Sequence, residues 1–258
     1  MDSIFFSITL ISVIASVSGS LSVFRRASFL VATVAHSALA GVALSLLLSS
    51  YGLELDYFVF ATLFAILFSA ISTLFSKFYN IDTGISISFA LSMALAVIFL
   101  SISRNVSTKI WAFLFGELYL ITEKDIFYLV MTTVIVLLLF GFFYEKILFF
   151  LFDPEGAEAS GINVKLLDTI LVLIIALSVV TVIRSVGAVL AYAIFVAPSA
   201  VGKTFARNFK QSILYSSTIT FFCLLAGFLI SFSIPVSASA ISAFIASILY
   251  LFAMIRKS

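Results

Sequence analysis

Charge is scarce in this chain. Its 258 residues include 14 Lys or Arg and 12 Asp or Glu, together 10%, against about 25% in an ordinary soluble domain. A soluble domain of this length needs far more polar surface, so that class is excluded. Cysteine occurs once, at Cys223, which rules out a disulfide scaffold. Three Pro beside eleven Gly exclude collagen-like and Pro-rich chains. A net charge of +2 gives no footprint for nucleic acid. Disorder requires low hydrophobicity and high net charge, and here both are reversed. What is present is apolar: 63% of the residues, thirty of them Phe, with a mean hydropathy of +1.29. The remaining class is a polytopic membrane protein.

A helical span needs about 20 apolar residues to cross roughly 30 Å of hydrocarbon. Nine segments qualify, at about 4–24, 27–49, 57–76, 84–102, 124–143, 165–183, 186–203, 211–232 and 237–255. They are continuous apolar runs, unlike the alternating segments of an outer-membrane barrel. The expected fold is therefore all-α. Small residues such as Ala35, Ala38, Ala40, Gly41 and Ala43 mark faces where helices approach closely. The first span carries no positive n-region (Met1-Asp2-Ser3), so it is expected to be a retained span and not a secretory signal. The sixth and seventh are separated only by Arg184-Ser185-Val186-Gly187, either a tight turn or the break in a single helix, which leaves eight or nine crossings open. Trp111 to Phe115 is too short to span and suits an interfacial or partly re-entrant helix. Residues 1–258 contain no long soluble insertion and are expected to form one integral-membrane domain.

The connectors predict orientation. With the N-terminus outside, the inner side holds Arg25, Arg26, Lys77, Lys146, Lys165, Lys203, Arg207, Lys210, Arg256 and Lys257. The outer side holds Arg104, Lys109, Lys124 and Arg184. These ten against four make up the 14 basic residues and favour N-out, C-in by the positive-inside rule. The acids divide evenly between the two sides.

Several apparent motifs carry little. Ala197-Pro198-Ser199-Ala200-Val201-Gly202-Lys203-Thr204 imitates a phosphate loop, but it lies at the end of an apolar helical run. Pro198 also removes an N–H that such a loop needs. Phe149 to Asp153 imitates the metal strand of an ATPase. Asn105-Val106-Ser107 fits a glycosylation triplet. No HExxH, GxSxG or Cys/His cluster occurs, so an intramembrane enzyme lacks its catalytic pair.

His36, the only histidine, lies in the middle of the second span. An ionisable residue at that depth is a functional candidate because its burial is costly, and neutral imidazole is a common metal ligand. The alternative is a structural histidine bonded to Thr33, Ser37 or a neighbouring helix. Glu117 follows the short amphipathic segment, facing an outer vestibule or solvent. Glu54 and Asp56 form an outer acidic pair. The connector at about 144–164 contains Asp153 as an N-cap, Pro154 at the first helical position, Glu155 in the first turn and Gly161 as a C-cap. Such spacing predicts a short capped helix at the inner face, suited to docking a partner that moves it.

Five blocks in order resemble one family, the membrane-spanning permease subunits of zinc- and manganese-type ABC importers. They are Arg25-Arg26-Ala27-Ser28-Phe29-Leu30; Ala35-His36-Ser37-Ala38-Leu39-Ala40-Gly41-Val42-Ala43-Leu44; Leu114-Phe115-Gly116-Glu117-Leu118; Phe152-Asp153-Pro154-Glu155 with Ala159-Ser160-Gly161 and Leu166-Leu167-Asp168; and Ser185-Val186-Gly187 through Val196-Ala197-Pro198-Ser199-Ala200. The resemblance implies a type II importer-like permease in the cell membrane, functioning as a homodimer. It also implies two cytoplasmic ATPase subunits, which hydrolyse the ATP, and an extracytoplasmic metal-binding protein. It assigns Asp153, Pro154, Glu155, Ala157 and Gly161 to the ATPase-coupling helix, and His36, with Glu117 as a weaker candidate, to the path of a divalent zinc, manganese or iron cargo. No cofactor of its own and no catalysis are expected of this chain. One departure stands out. The family pattern puts Asp four residues before the helix-two His, usually within Gly-Asp, where Val31-Ala32 stand here. Cargo transfer then relies on His36 alone, on Glu117 or on transient weak coordination, or the cargo is a chelate or another small solute. A stand-alone secondary transporter or channel is the alternative function. It calls for an inverted repeat and intramembrane acids, whereas most acids here lie in connectors.

Overall fold

The computed structural model describes residues 2–53, 56–75, 80–103, 108–116 and 121–257. Among the described residues, nine helices are long and apolar enough to cross a membrane. They are α1 (Asp2–Phe24), α2 (Phe29–Ser50), α3 (Tyr57–Phe75), α4 (Ile81–Ile102), α6 (Glu123–Phe142), α9 (Val164–Val186), α10 (Ala188–Phe205), α11 (Phe209–Ser231) and α12 (Ala238–Lys257). Three short helices complete the set: α5 (Thr108–Phe115), α7 (Tyr144–Phe152) and α8 (Pro154–Ala159). Asn105 and its triplet lie outside the described residues, as do Glu54 and Glu117.

Local chemistry starts these helices. Thr122 and Asp125 form a reciprocal capping box at α6, with the Thr122 N–H donating to Asp125 Oδ2 at 2.9 Å. Asn163 accepts from the Leu166 N–H at α9, and Asn208 accepts from the Gln211 N–H at α11. Each cap satisfies one of the amide groups that a helix start leaves open. Serines inside the spans avoid the cost of an unpaired hydroxyl in hydrocarbon by bonding back one turn: Ser12 to Ile8 O at 2.7 Å and Ser88 to Gly84 O at 3.0 Å. Others bridge helices. Ser18 of α1 donates to Ser178 of α9 at 2.5 Å, and Ser199 of α10 meets Ser216 of α11 at 2.9 Å. Interhelical hydrogen bonds of this kind contribute about 0.6–2 kcal/mol each.

The spans differ in how deeply they sit in the bundle. The richest windows of α1, α2 and α9 are 67%, 83% and 72% buried, whereas α3, α4 and α6 are 28% or less and present their large apolar side chains outward. The core, including Ile8, Ile11, Leu21, Leu30, Val34, Leu171, Ile175, Ile183 and Phe195, runs between the central helices. Small residues permit the closest crossings. A Cβ on Gly41 of α2 would collide with the Phe60 carbonyl of α3.

Among the described residues α9 and α10 are two separate candidate spans and not one broken helix, which makes nine. Asp168 near the start of α9 pairs with Arg25, and Lys203 near the end of α10 donates to Val23 O at 3.3 Å. Both helices therefore meet the chain around residues 23–25, so it reverses at Gly187. The phosphate-loop look-alike lies within α10, and Phe149–Phe152 within α7. The 144–164 connector differs from the sequence expectation in holding two helices, because the apolar run Ile147–Phe152 forms α7 ahead of the capped α8. Ile147 is the buried anchor of α7.

Candidate functional site

The side chains of chemical interest gather at three levels: mid-bundle, at the α8 end, and at the opposite end. At mid-bundle, His36 sits on α2, about 10 Å along the axis from Phe29 at 1.5 Å per residue. Its imidazole is half-buried and meets the Phe89 ring of α4 edge-to-face, with centroids 5.0 Å apart and planes at 89°. Thr33 directs its hydroxyl to Phe29 O and Ile85 O, and Ser37 to Val34 O. The buried Nδ1 of His36 has no hydrogen-bond partner among the described residues. Ala32 lies one turn earlier and is 9% exposed. The described residues hold no group of three or more His, Cys, Asp or Glu able to bind a metal. What this level presents is therefore a single uncommitted imidazole lone pair or N–H.

At one end, α8 takes the form that its spacing predicts. Asp153 accepts from the Gly156 N–H at 2.9 Å, Pro154 opens the helix, and Gly161 adopts a left-handed φ of +79° just past its end. The Ile162 N–H returns to Ala157 O at 3.1 Å. Ala157 is fully buried, whereas Pro154, Glu155 and Glu158 face outward. One face of α8 thus anchors it and the other presents carboxylates. Beside it, the turn between α1 and α2 packs tightly. The Arg25 guanidinium pairs with the Asp168 carboxylate, with the two side chains 9% and 15% exposed. Burial pushes the Arg25 guanidinium below its usual value, and the charge and hydrogen bond of Asp168 oppose that shift. Phe24 meets Phe209 at 4.8 Å and Phe152 at 5.7 Å, both edge-to-face, and the Lys203 ammonium lies 4.5 Å over its ring.

At the other end, Arg184 of α9 pairs through Nε with Asp125 of α6 at 2.5 Å. Its guanidinium carbon stands 5.1–5.4 Å from the ring centroids of Phe58, Tyr128 and Tyr57. Cation–π contacts at this range add about 0.5–2 kcal/mol. A cavity of about 560 Å³ opens here beside Asp56, Tyr57, Glu123, Lys124 and Arg184. α5 closes over the same end with Ile110 and Phe113 buried, while exposed Trp111 stacks on Phe115. Phe115 O accepts from Ser239 of α12 at 3.1 Å, and Gly116 meets the Val186–Gly187 backbone.

Neither ion pair was legible from spacing. Arg25 and Asp168 each belong to a block noted in the sequence, but 143 positions of chain separate them, as the numbering shows. From sequence, Arg184 is a residue of a short turn and one of the outer basic residues, with no partner indicated.

The chain belongs to the ABC 3 transport family, whose model matches residues 1–257. Among curated proteins it is similar to the manganese transport system membrane protein MntC of Listeria monocytogenes, with 28% identity over 247 residues, covering 95% of this chain and 86% of that protein. It is also similar to the manganese import system permease protein ScaB of Streptococcus gordonii, with 28% identity over 232 residues, covering 89% and 81%. The zinc uptake membrane protein ZnuB of Haemophilus influenzae matches over 132 residues at 27% identity, about half of each chain. In three dimensions it resembles a chain of PsaBC from Streptococcus pneumoniae, solved with a Fab, at a TM-score of 0.84 and 27% identity, covering 98% of this chain and 90% of that one. An inward-facing structure described as a metal-chelate type ABC transporter shares the fold, with a TM-score of 0.76 at 16% identity. The protein is thus a multi-pass membrane permease of the ABC transport class.

Proposed function

We propose that this chain is the translocation subunit of an ATP-driven importer for a divalent metal ion, zinc, manganese or iron. The observation that carries this reading is family membership over the whole chain together with a rigid, capped α8 presented at one end of the bundle. ATP hydrolysis belongs to a separate subunit. Two copies of the ATPase, a second copy of this chain and an extracytoplasmic metal-binding protein complete the assembly. The N-terminus faces outward, which places Arg25, Arg26, Lys146, Lys165, Lys203, Arg207 and Lys210 on the inner side with α8, as the positive-inside rule favours. Residues 1–258 act as one membrane domain.

In this assembly Asp153, Pro154, Glu155, Ala157 and Gly161 form the coupling helix: the buried Ala157 fixes it to the permease, and the exposed Glu155 meets the ATPase. His36 lines the path and offers a neutral nitrogen to the passing ion. Glu117 is a second, outer candidate. A sparse ligand set suits transport, since a path that binds its ion tightly holds it instead of releasing it. Ala32 in place of a carboxylate makes the contact weaker and leaves selection largely to the binding protein. The family match favours this reading over a stand-alone secondary transporter. The test is reconstitution in liposomes with the cognate ATPase and binding protein, following zinc, manganese and iron uptake with and without ATP. ATP-dependent uptake is expected, and uptake that proceeds without the ATPase would refute the reading.

A further inference from the structure

We propose that Arg25 and Asp168 form a positioning pair through which movement of α8 reaches the helix that carries His36. The proposal rests on the importer reading, because it takes α8 as the element that the ATPase moves.

The contacts bracket α8 on both sides. Phe152 is the last residue of α7, immediately before the Asp153 cap, and its ring lies 5.7 Å from Phe24. Asp168 is in the second turn of α9, just after α8, and its carboxylate holds Arg25. Phe24 and Arg25 are neighbours, so chain entering and chain leaving α8 both land on the same two residues of the α1–α2 turn.

Little slack separates α8 from Asp168. Residues 160–163 are tied by the Gly161 N–H to Glu158 O at 3.0 Å, by the Ile162 N–H to Ala157 O at 3.1 Å, and by the Asn163 cap on Leu166. The receiving turn is equally constrained. Arg25 N–H bonds Leu21 O and Ala27 N–H bonds Ser22 O, at 3.0 and 2.9 Å, while Arg26 takes a left-handed φ of +59°. Non-glycine residues adopt that conformation only where the surroundings hold them there. α2 begins at Phe29, with Leu30 N–H already bonded to Ala27 O. A displacement of Asp168 therefore passes to Arg25 and along a hydrogen-bonded chain into α2, on which His36 lies eleven residues later.

The chemistry of the link explains why it is ionic. A buried ion pair is weak evidence for stability, because apolar residues of similar size often replace it without loss, and its best-attested use is to set register. Apolar side chains can slide over one another, whereas a buried guanidinium and carboxylate in contact are held to each other by charge as well as by shape.

The test uses the complete complex in liposomes, measuring ATP hydrolysis, metal uptake and recovery of the ATPase with the permease. Arg25→Met combined with Asp168→Leu removes both charges and leaves neither one orphaned. The expected result is an assembled complex with hydrolysis within about twofold of the parent. Uptake per ATP is expected to fall by about tenfold or more, as a small misplacement far from the reacting centre can cause. The maximal rate of uptake falls, and the concentration of loaded binding protein giving half that rate does not change. The reversed pair, Arg25→Asp with Asp168→Arg, regains most of the lost uptake per ATP. Uptake per ATP within about twofold of the parent in the double apolar variant overturns the proposal, as does a parallel fall of hydrolysis and uptake. If that variant does not assemble, the reversed pair decides: restored coupling supports the proposal, and failure to assemble assigns the pair to folding alone and overturns it. Absence of ATP-driven uptake in the unsubstituted complex would instead count against the importer reading itself.

Discussion

Gly187→Ala tests how the α9–α10 reversal and α5 are joined. Gly187 has φ +91° and ψ 152°, and a Cβ there would collide with the backbone of Phe115 and lie 2.6 Å from both Gly116 N and Leu114 O. The conformation alone costs a non-glycine residue about 1–3 kcal/mol. Displacing backbone atoms to admit the methyl costs about 1–3 kcal/mol more. The sum is about 4 kcal/mol, which for a chain of this size lowers Tm by roughly 8–16 °C at 2–4 °C per kcal/mol. Two further glycines separate the contributions. Gly161 has φ +79° with nothing within 4 Å of its Cβ position, so Gly161→Ala carries only the conformational cost of about 1–2 kcal/mol. Gly141 lies in α6 with open space and no positive φ, and Gly141→Ala gains about 0.8–1.0 kcal/mol in helix propensity. Thermal unfolding of the purified protein in detergent, followed by the fluorescence of its one Trp, Trp111, should rank the variants Gly141→Ala above the parent, then Gly161→Ala, then Gly187→Ala. A Gly187→Ala variant as stable as Gly161→Ala would refute the close contact between α5 and the turn.

Three other outcomes are expected. His36→Ala should lower metal uptake by about tenfold, the size of one lost transition-state contact, while the ATPase still co-purifies with the permease; unchanged uptake would make His36 structural. Glu155→Arg should weaken ATPase binding by about tenfold, since reversing an interfacial charge costs on the order of 1.4 kcal/mol or more, and a pull-down with retained affinity would remove Glu155 from the interface. Arg184→Met leaves Asp125 in place without its cation and should destabilise the protein by about 3–5 kcal/mol; pairing it with Asp125→Leu should recover most of the lost Tm, and no recovery would mean that the aromatic contacts dominate.

Much of the fold was legible because its signals are local. A run of apolar residues long enough to cross hydrocarbon can satisfy its backbone only as a helix, so the positions of α1 to α4, α6 and α9 to α12 follow from sequence within a few residues. The α8 cap was equally legible, because Asp153, Pro154 and Gly161 act within one turn of themselves. α7 was not anticipated, because the apolar run after Tyr144 is too short for a crossing and its helix depends on anchoring Ile147 in the bundle. The reversal at Gly187 is not legible in the sequence, because a turn and a break within one helix look alike there. Distant contacts at Asp168 and Lys203 decide between them.

The same division holds for the candidate site. Composition by itself established a polytopic helical protein with very few charges, and spacing established His36 as a mid-span imidazole and α8 as a capped helix. Tertiary structure alone decided where the remaining charges act. Arg25 finds Asp168 and Arg184 finds Asp125, and both partnerships join helices far apart in the chain. Hydropathy and capping depend on neighbours along the sequence, whereas an ion pair depends on which helices lie side by side, and that is set by the packing of the whole bundle.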